Sequence, residues 1–208
     1  MGRKRRILAL CLITALLLCS CGEEPFSVAK VIGTKNMKVK PYTATFEINE
    51  NDLYQVTTYA SYVFVAEVVS YDKTKYRNND EMSPLTYYTI RIVDNVKGEL
   101  PRFKNVTLIK AGGLKRGTET FLICERDVLP KPGNFYIFAA TLLDGELFCE
   151  MPNMIVDITE YRYMLPECEE YLKYVDSCEH VMEDVPNGDQ YKHRLDETRE
   201  VEEKNEEE

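Results

Sequence analysis

The chain has 208 residues, of which 44% are hydrophobic and 11% aromatic, values typical of one globular domain with accessory segments. Its formal net charge of −9 at pH 7 argues against a dedicated nucleic-acid binder, because acidic side chains repel the phosphate backbone. The two histidines are too few for a His-rich metal site. We therefore expect no nucleic-acid partner, no metal and no cofactor.

The N-terminus has the pattern of an exported protein. Four of the first six residues are basic, and an apolar run follows from Ile7 to Leu18. Twelve residues are too few to cross a bilayer as a helix. A basic start followed by a short apolar run predicts a secretory signal over residues 1–20.

The end of the apolar run reads Leu18-Cys19-Ser20-Cys21. It resembles the lipobox of bacterial lipoproteins, with leucine three residues before a cysteine and a small residue directly before it. The resemblance implies that Cys21 becomes the first mature residue and receives a diacylglyceryl group on its sulfur. Two or three acyl chains hold a protein lastingly at a membrane. We expect a lipid-anchored protein on the extracytoplasmic face of the cell membrane; the alternatives are a plain secretory signal cut nearby and an uncleaved anchor.

Loss of the signal makes the chain more acidic. Residues 1–20 contain four basic residues and no acidic one, so their removal lowers the net charge from −9 to −13. Anionic headgroups repel such a surface. The lipid alone is therefore expected to anchor the protein. Residues 21–40 are polar and without periodicity, and this pattern predicts a tether.

From residue 41 to residue 158 the pattern predicts β structure. Asn51 or Asp52 is expected to cap a short helical turn, and Asp144-Gly145 between apolar runs predicts a tight hairpin. Strands this frequent are typical of a barrel or a sandwich. The expected strands cover residues 42–48, 62–69, 88–92, 106–109, 120–124 and 135–139.

A polar segment over residues 72–84 separates two of these strands. A loop of this length inside a domain is either functional or a tolerated insertion. Since rigid scaffolds carry binding loops in this way, we expect loop 72–84 to be the leading contact segment.

The C-terminal third changes period. An apolar stripe at steps of three and four predicts an amphipathic helix within residues 159–182, from about Pro166, that packs on the β domain. The stripe consists of Met164, Cys168, Tyr171, Val175, Cys178 and Met182. Residues 183–208 are poor in hydrophobic residues and rich in acids, which predicts a disordered tail.

Two motifs in the β region carry a family resemblance. Lys97-Gly98 closes one strand, and Gly133-Asn134-Phe135-Tyr136-Ile137-Phe138 opens another. Both resemble motifs of the netrin-like modules related to tissue inhibitors of metalloproteinases. The resemblance implies an antiparallel OB-type β-barrel, but no inhibitory function, because Cys21 would be lipidated. An immunoglobulin-like sandwich is the alternative, although the chain has no tryptophan for a Cys…Trp…Cys pattern.

Four cysteines remain besides Cys21 once the signal is removed. Cys168 and Cys178 would lie about 15 Å apart along one helix, too far for a disulfide. Cys124 and Cys149 lie in strands that could be neighbours, so they are the candidate disulfide pair. The alternative, which we favour, is that all four are buried free thiols.

The sequence contains no recognisable catalytic motif. Hydrolase, phosphate-loop and calcium-loop patterns are missing, and His180 with Glu183 lacks a second ligand pair, so no catalytic or metal-binding residue is predicted. We expect a binding module at the cell surface, with a protein or cell-wall ligand as partner. The alternative is an extracytoplasmic hydrolase whose site forms only in three dimensions.

Overall fold

The computed structural model describes residues 37–77, 80 and 82–189. Within that part the chain is mainly β, with nine strands and two α-helices. The expected signal, lipidated Cys21, most of the tether and the tail beyond residue 189 lie outside the described residues. The strands are β1 Lys38–Tyr42, β2 Tyr62–Tyr76, β3 Pro84–Lys97, β4 Asn105–Ala111, β5 Gly113–Leu114, β6 Thr120–Cys124, β7 Phe135–Leu143, β8 Glu146–Cys149 and β9 Ile155–Asp157, and the helices are α1 Leu53–Tyr59 and α2 Glu169–Glu179.

Six strands form the main sheet, in the order β2-β3-β4-β8-β7-β9. Strand β2 pairs with β3 along its whole length and also with β7 between Tyr62 and Glu67. This inner half of β2 carries Val63, Phe64 and Val65, all fully buried. A strand covered on both faces is expected to have such a continuous apolar run.

The expectation of a purely antiparallel sheet is wrong for two strand pairs. Strand β4 runs parallel to β8, and β1 runs parallel to β6. Parallel neighbours need a long connection, and the chain supplies one by passing through β5, β6 and β7 between β4 and β8. The sheet is therefore mixed.

A second sheet of three strands has the order β1-β6-β5. Its strand β1 begins at Lys38, inside the segment expected to be a tether, and ends at Tyr42, so the strand predicted over 42–48 is displaced toward the N-terminus. Pairing with β6 explains the displacement of this strand. Strand β6 extends only from Thr120 to Cys124, and these residues pair with residues 38–42.

The prediction of a loop over residues 72–84 is wrong. Strands β2 and β3 continue outward as a paired hairpin to Tyr76 and Pro84. We call residues 70–89 the arm. Its polar composition was misleading because one face of the arm is exposed, whereas the other packs on β5.

The main core includes consecutive buried residues of β2 and β7, so it covers both faces of these strands. Phe64 and Phe138 stack with ring centroids 5.5 Å apart, and Ile90, Ile92 and Leu108 are fully buried beside them. Burying side chains of this size contributes about 1.5–3 kcal/mol each. A smaller cluster lies on the opposite face of β4 and consists of Leu85, Ile109, Leu143 and Phe148.

Two local predictions are confirmed. Asp144 and Gly145 have φ values of 52° and 80°, as a two-residue hairpin turn requires, and they join β7 to β8. Asp52 caps α1, accepting hydrogen bonds from the backbone N–H groups of Tyr54 and Gln55.

Helix α2 is shorter than the predicted helix. A 3₁₀ turn over Leu165–Glu167 precedes it, and it ends at Glu179. Met164 is exposed, not packed as expected, because it precedes the helix. The buried contacts of α2 include Ser177, whose Oγ lies 2.7 Å from Thr57 Oγ1 of α1.

The prediction that residues 183–189 are disordered is also wrong. Gly188 is buried against Tyr59 and Thr141. The Asp189 carboxylate accepts hydrogen bonds from Leu142 N at 2.7 Å and Ser61 Oγ at 2.5 Å. Backbone and carboxylate contacts hold the segment, so its few apolar side chains gave no signal in the sequence.

Candidate ligand groove

A groove of about 320 Å³ lies between the arm and the β7–β8 turn. Strand pairing fixes its floor, because Leu85 and Tyr87 of β3 lie opposite Lys75 and Lys73 of β2. The lining residues are Lys75, Tyr76, Arg77, Leu85, Tyr87, Leu143 and Asp144. Both the arm and the turn therefore contribute to one concave surface.

Three cations on or beside the arm lie over tyrosine rings. Lys75 Nζ lies 4.8 Å and Lys73 Nζ 5.6 Å from the centroid of the Tyr87 ring. The Arg116 guanidinium lies 4.4 Å from the centroid of the Tyr76 ring. Such cation–π contacts contribute about 0.5–1 kcal/mol each at exposed sites, enough to favour particular positions of the charged groups.

The wall opposite the lysines is acidic. Burial, with the nearby carboxylates of Asp144 and Glu146, raises the pKa of the Tyr87 phenol above its ordinary value. The phenol is therefore neutral at pH 7 and able to donate a hydrogen bond. The groove thus combines ammonium groups, a phenol donor and carboxylate acceptors.

Strand β5 supports the arm from behind. Tyr76 Oη donates to the Leu114 carbonyl oxygen at 2.9 Å, and Thr86 Oγ1 donates to the Gly112 carbonyl oxygen at 2.7 Å. A Cβ at Gly113 would lie 2.8 Å from Thr86 Oγ1, so only glycine allows this close approach. The Gly112-Gly113 pair therefore allows the arm to pack closely against this part of the chain.

Asp80 organises the tip of the arm. Its carboxylate accepts hydrogen bonds from Met82 N at 2.9 Å and Ser83 Oγ at 2.7 Å. These bonds lower the pKa of Asp80. The turn next to the groove is thus held by its own side chains.

A second cleft, of about 470 Å³, lies beside β9 and contains Asp157 and Glu160. This cleft is larger, but the Asp157 carboxylate is engaged by its own neighbours. It accepts hydrogen bonds from Asn134 Nδ2 at 3.2 Å and from Thr159 N at 3.0 Å. These contacts fasten the chain after β9. We therefore favour the arm groove as the ligand site.

The cysteines do not contribute a site. Cys124 and Cys149 lie in different sheets as buried free thiols, so the candidate disulfide is not formed. Cys149 Sγ donates to the Ala139 carbonyl oxygen at 3.3 Å. Cys168 is also buried and free, whereas Cys178 is only partly buried, and burial raises its pKa to about 11.

His180 and Glu183 do not share a helical face, because α2 ends at Glu179. His180 Nδ1 instead lies 2.8 Å from the Asp176 carbonyl oxygen. Across the described residues, no three His, Cys, Asp or Glu side chains come close enough together to hold a metal ion.

Lys110 and Asp127 form a buried ion pair that was not predicted from the sequence. Both side chains are almost completely buried, and Lys110 Nζ contacts Asp127 Oδ2 directly. Burial raises the pKa of Asp127, and the Lys110 ammonium opposes that shift. The pair joins β4 to the segment after β6 and thereby links the two sheets. The only indication of this ion pair in the sequence is a lysine at the end of an apolar strand.

No protein-family model matches the chain, and no curated protein is significantly similar to it in sequence. In the portion that the structure describes, neither helix has the length and apolar character needed to span a bilayer.

Proposed function

We propose that the protein is a lipid-anchored binding module on the extracytoplasmic face of a cell membrane, with its ligand site in the arm groove. The observation that carries this proposal is a concave surface formed jointly by the arm and the β7–β8 turn. The lipobox-like segment ending at Cys21 supports the membrane location.

The strand pairings support an OB-type barrel as the scaffold. Starting from β2, they run through β3, β4, β8 and β7 and return to β2. A sandwich would leave β2 at the edge of a sheet, whereas here its inner half has partners on both sides. Five strands whose pairing returns to the first are the arrangement expected for an OB-type barrel.

The position of the groove fits this scaffold. Counted along the ring of five, the arm joins the first and second strands, and the Asp144-Gly145 turn joins the fourth and fifth. OB-type barrels bind ligands at these two connections and the adjoining strand face. The barrel interior is filled by the main core, so the ligand would lie on the rim.

Binding to isolated cell envelopes tests the proposal. The mature chain, residues 21–208, carries Cys21→Ser so that it has no lipid, and the fraction that sediments with envelopes is measured. Tyr87→Ala removes the ring at the centre of the groove and is expected to weaken retention about tenfold, a loss of about 1.4 kcal/mol. The matched control is Tyr163→Ala, since Tyr163 is 83% exposed and lies outside the groove.

Equal retention of Tyr87→Ala and the parent chain, with unchanged melting curves, would place the ligand elsewhere. The hydrolase alternative is not favoured by the second cleft, because its Asp157 carboxylate is bound to its own neighbours.

A further inference from the structure

Two lysines of the arm, and Arg116 beside it, lie over tyrosine rings. Lys73 and Lys75 contact Tyr87, and Arg116 contacts Tyr76. Among the described residues, no carboxylate lies within ion-pair distance of these three cations. A tyrosine ring positions an ammonium group without neutralising it, so its charge stays available to a ligand.

Three surface arginines elsewhere in the β domain are arranged differently. Arg91 pairs with Glu67, Arg102 with Asp94 and Arg126 with Glu50. Even on the arm, Asp72 does not pair with the adjacent Lys73; its carboxylate accepts hydrogen bonds from Ser70 and Thr89. Asp72 therefore does not form an ion pair with Lys73.

The two lysines are also arranged as a pair. Lys73 and Lys75 are two positions apart on one strand, so they project from the same face with Cα atoms about 7 Å apart. Like charges this close destabilise the strand. A ligand with two anionic groups at similar spacing would relieve that repulsion.

The rest of the groove suits hydroxyl groups. The Tyr87 phenol can donate a hydrogen bond, and the Asp144 carboxylate can accept one from an alcohol. Asp144 would repel a ligand that carried only anionic groups. The arrangement matches a ligand that presents anionic groups and hydroxyl groups side by side.

We propose that the groove binds an acidic polysaccharide, a sugar polymer bearing phosphate, sulfate or carboxylate groups. This inference rests on the proposed function of the groove and names the class of its ligand. The lysines contact the anionic groups, and Tyr87 with Asp144 contacts the sugar hydroxyls. The net charge of −9 makes the remaining surface unattractive to a polyanion, which confines binding to this groove.

The test measures binding of dextran sulfate to the lipid-free mature chain by titration calorimetry. Unsulfated dextran of equal length and poly-glutamate serve as comparison ligands. We expect dextran sulfate to bind, with affinity falling as salt screens the charges, and the two comparison ligands to bind at least about tenfold more weakly. Poly-glutamate binding as tightly as dextran sulfate would overturn the proposal in favour of an acidic peptide.

A matched pair of variants locates the binding. Lys73→Gln with Lys75→Gln is expected to weaken dextran sulfate binding at least about tenfold, because charge-assisted contacts are lost. Lys38→Gln with Lys40→Gln removes the same charge from two exposed positions of β1 and is expected to leave affinity within about twofold. Equal weakening by both pairs would show that binding depends only on net charge, against the proposal.

The envelope experiment separates the two levels of inference. If the Lys73/Lys75 variant keeps full envelope retention while Tyr87→Ala loses it, the groove is the ligand site but its ligand is not anionic. If both variants keep full retention, the proposed function fails as well.

Discussion

Lys110 and Asp127 place two opposite charges where water does not reach. Replacing Lys110 with methionine leaves the Asp127 carboxylate without its partner, and unfolding in urea is expected to show a loss of about 3–5 kcal/mol. Adding Asp127→Leu removes the second charge and is expected to restore most of that stability. A single variant as stable as the parent would mean that the pair does not link the sheets.

Gly188 tests whether the C-terminal segment docks as described. A Cβ at this position would lie 2.6 Å from Tyr59 Cε1 and would also meet Thr141 Cγ2. Overpacking of this kind costs about 1–3 kcal/mol, so Gly188→Ala is expected to lower the free energy of unfolding by that amount. An unchanged urea midpoint would contradict the docking of residues 182–189.

Amide hydrogen exchange distinguishes a paired arm from the loop predicted over residues 72–84. Residues Thr86 to Ile90 of β3 pair with both β2 and β4, so their amides are expected to exchange slowly. Uniformly fast exchange from residue 72 through residue 84 would favour the loop that the sequence predicts.

The outer half of β2 is a strand edge that needs protection from pairing with other chains. Register shifts occur between Val68 and Ser70 and again between Tyr71 and Lys73, and lysines follow at positions 73 and 75. Bulges and edge lysines are two devices that discourage edge-to-edge association. The same lysines thus serve solubility and, in our proposal, ligand binding.

For the whole molecule, the proposed lipid anchor makes a direct prediction. Cys21→Ser is expected to abolish incorporation of a labelled acyl tracer in cells, because the acceptor sulfur is gone. Cys19→Ser, two residues away, is the control and is expected to keep the label. Continued labelling of the Cys21 variant would remove the basis for a membrane location.

Local signals in the sequence predicted local structure well. Asp52 and the Asp144-Gly145 turn act within a few residues, so their roles could be read directly. The arm and strand β1 could not, because their structure depends on partners far along the chain: β5 supports the arm, and β6 sets the register of β1. The groove was missed for the same reason, since residues near 75, 87 and 144 meet only after folding.

The parallel pairing of β1 with β6 has a mechanical consequence. A protein anchored by lipid at Cys21 and attached to a polymer at its arm would carry tension, and that tension enters the described domain at Lys38. Sixteen residues lie between these two positions, so the connecting chain spans at most about 60 Å. A pull along β1 loads its five pairings with β6 together, whereas a pull across it opens them one by one from Lys38. In the second case β1 detaches from β6 first. This lengthens the connection between the anchor and the domain, while the main sheet and the ligand contacts remain intact.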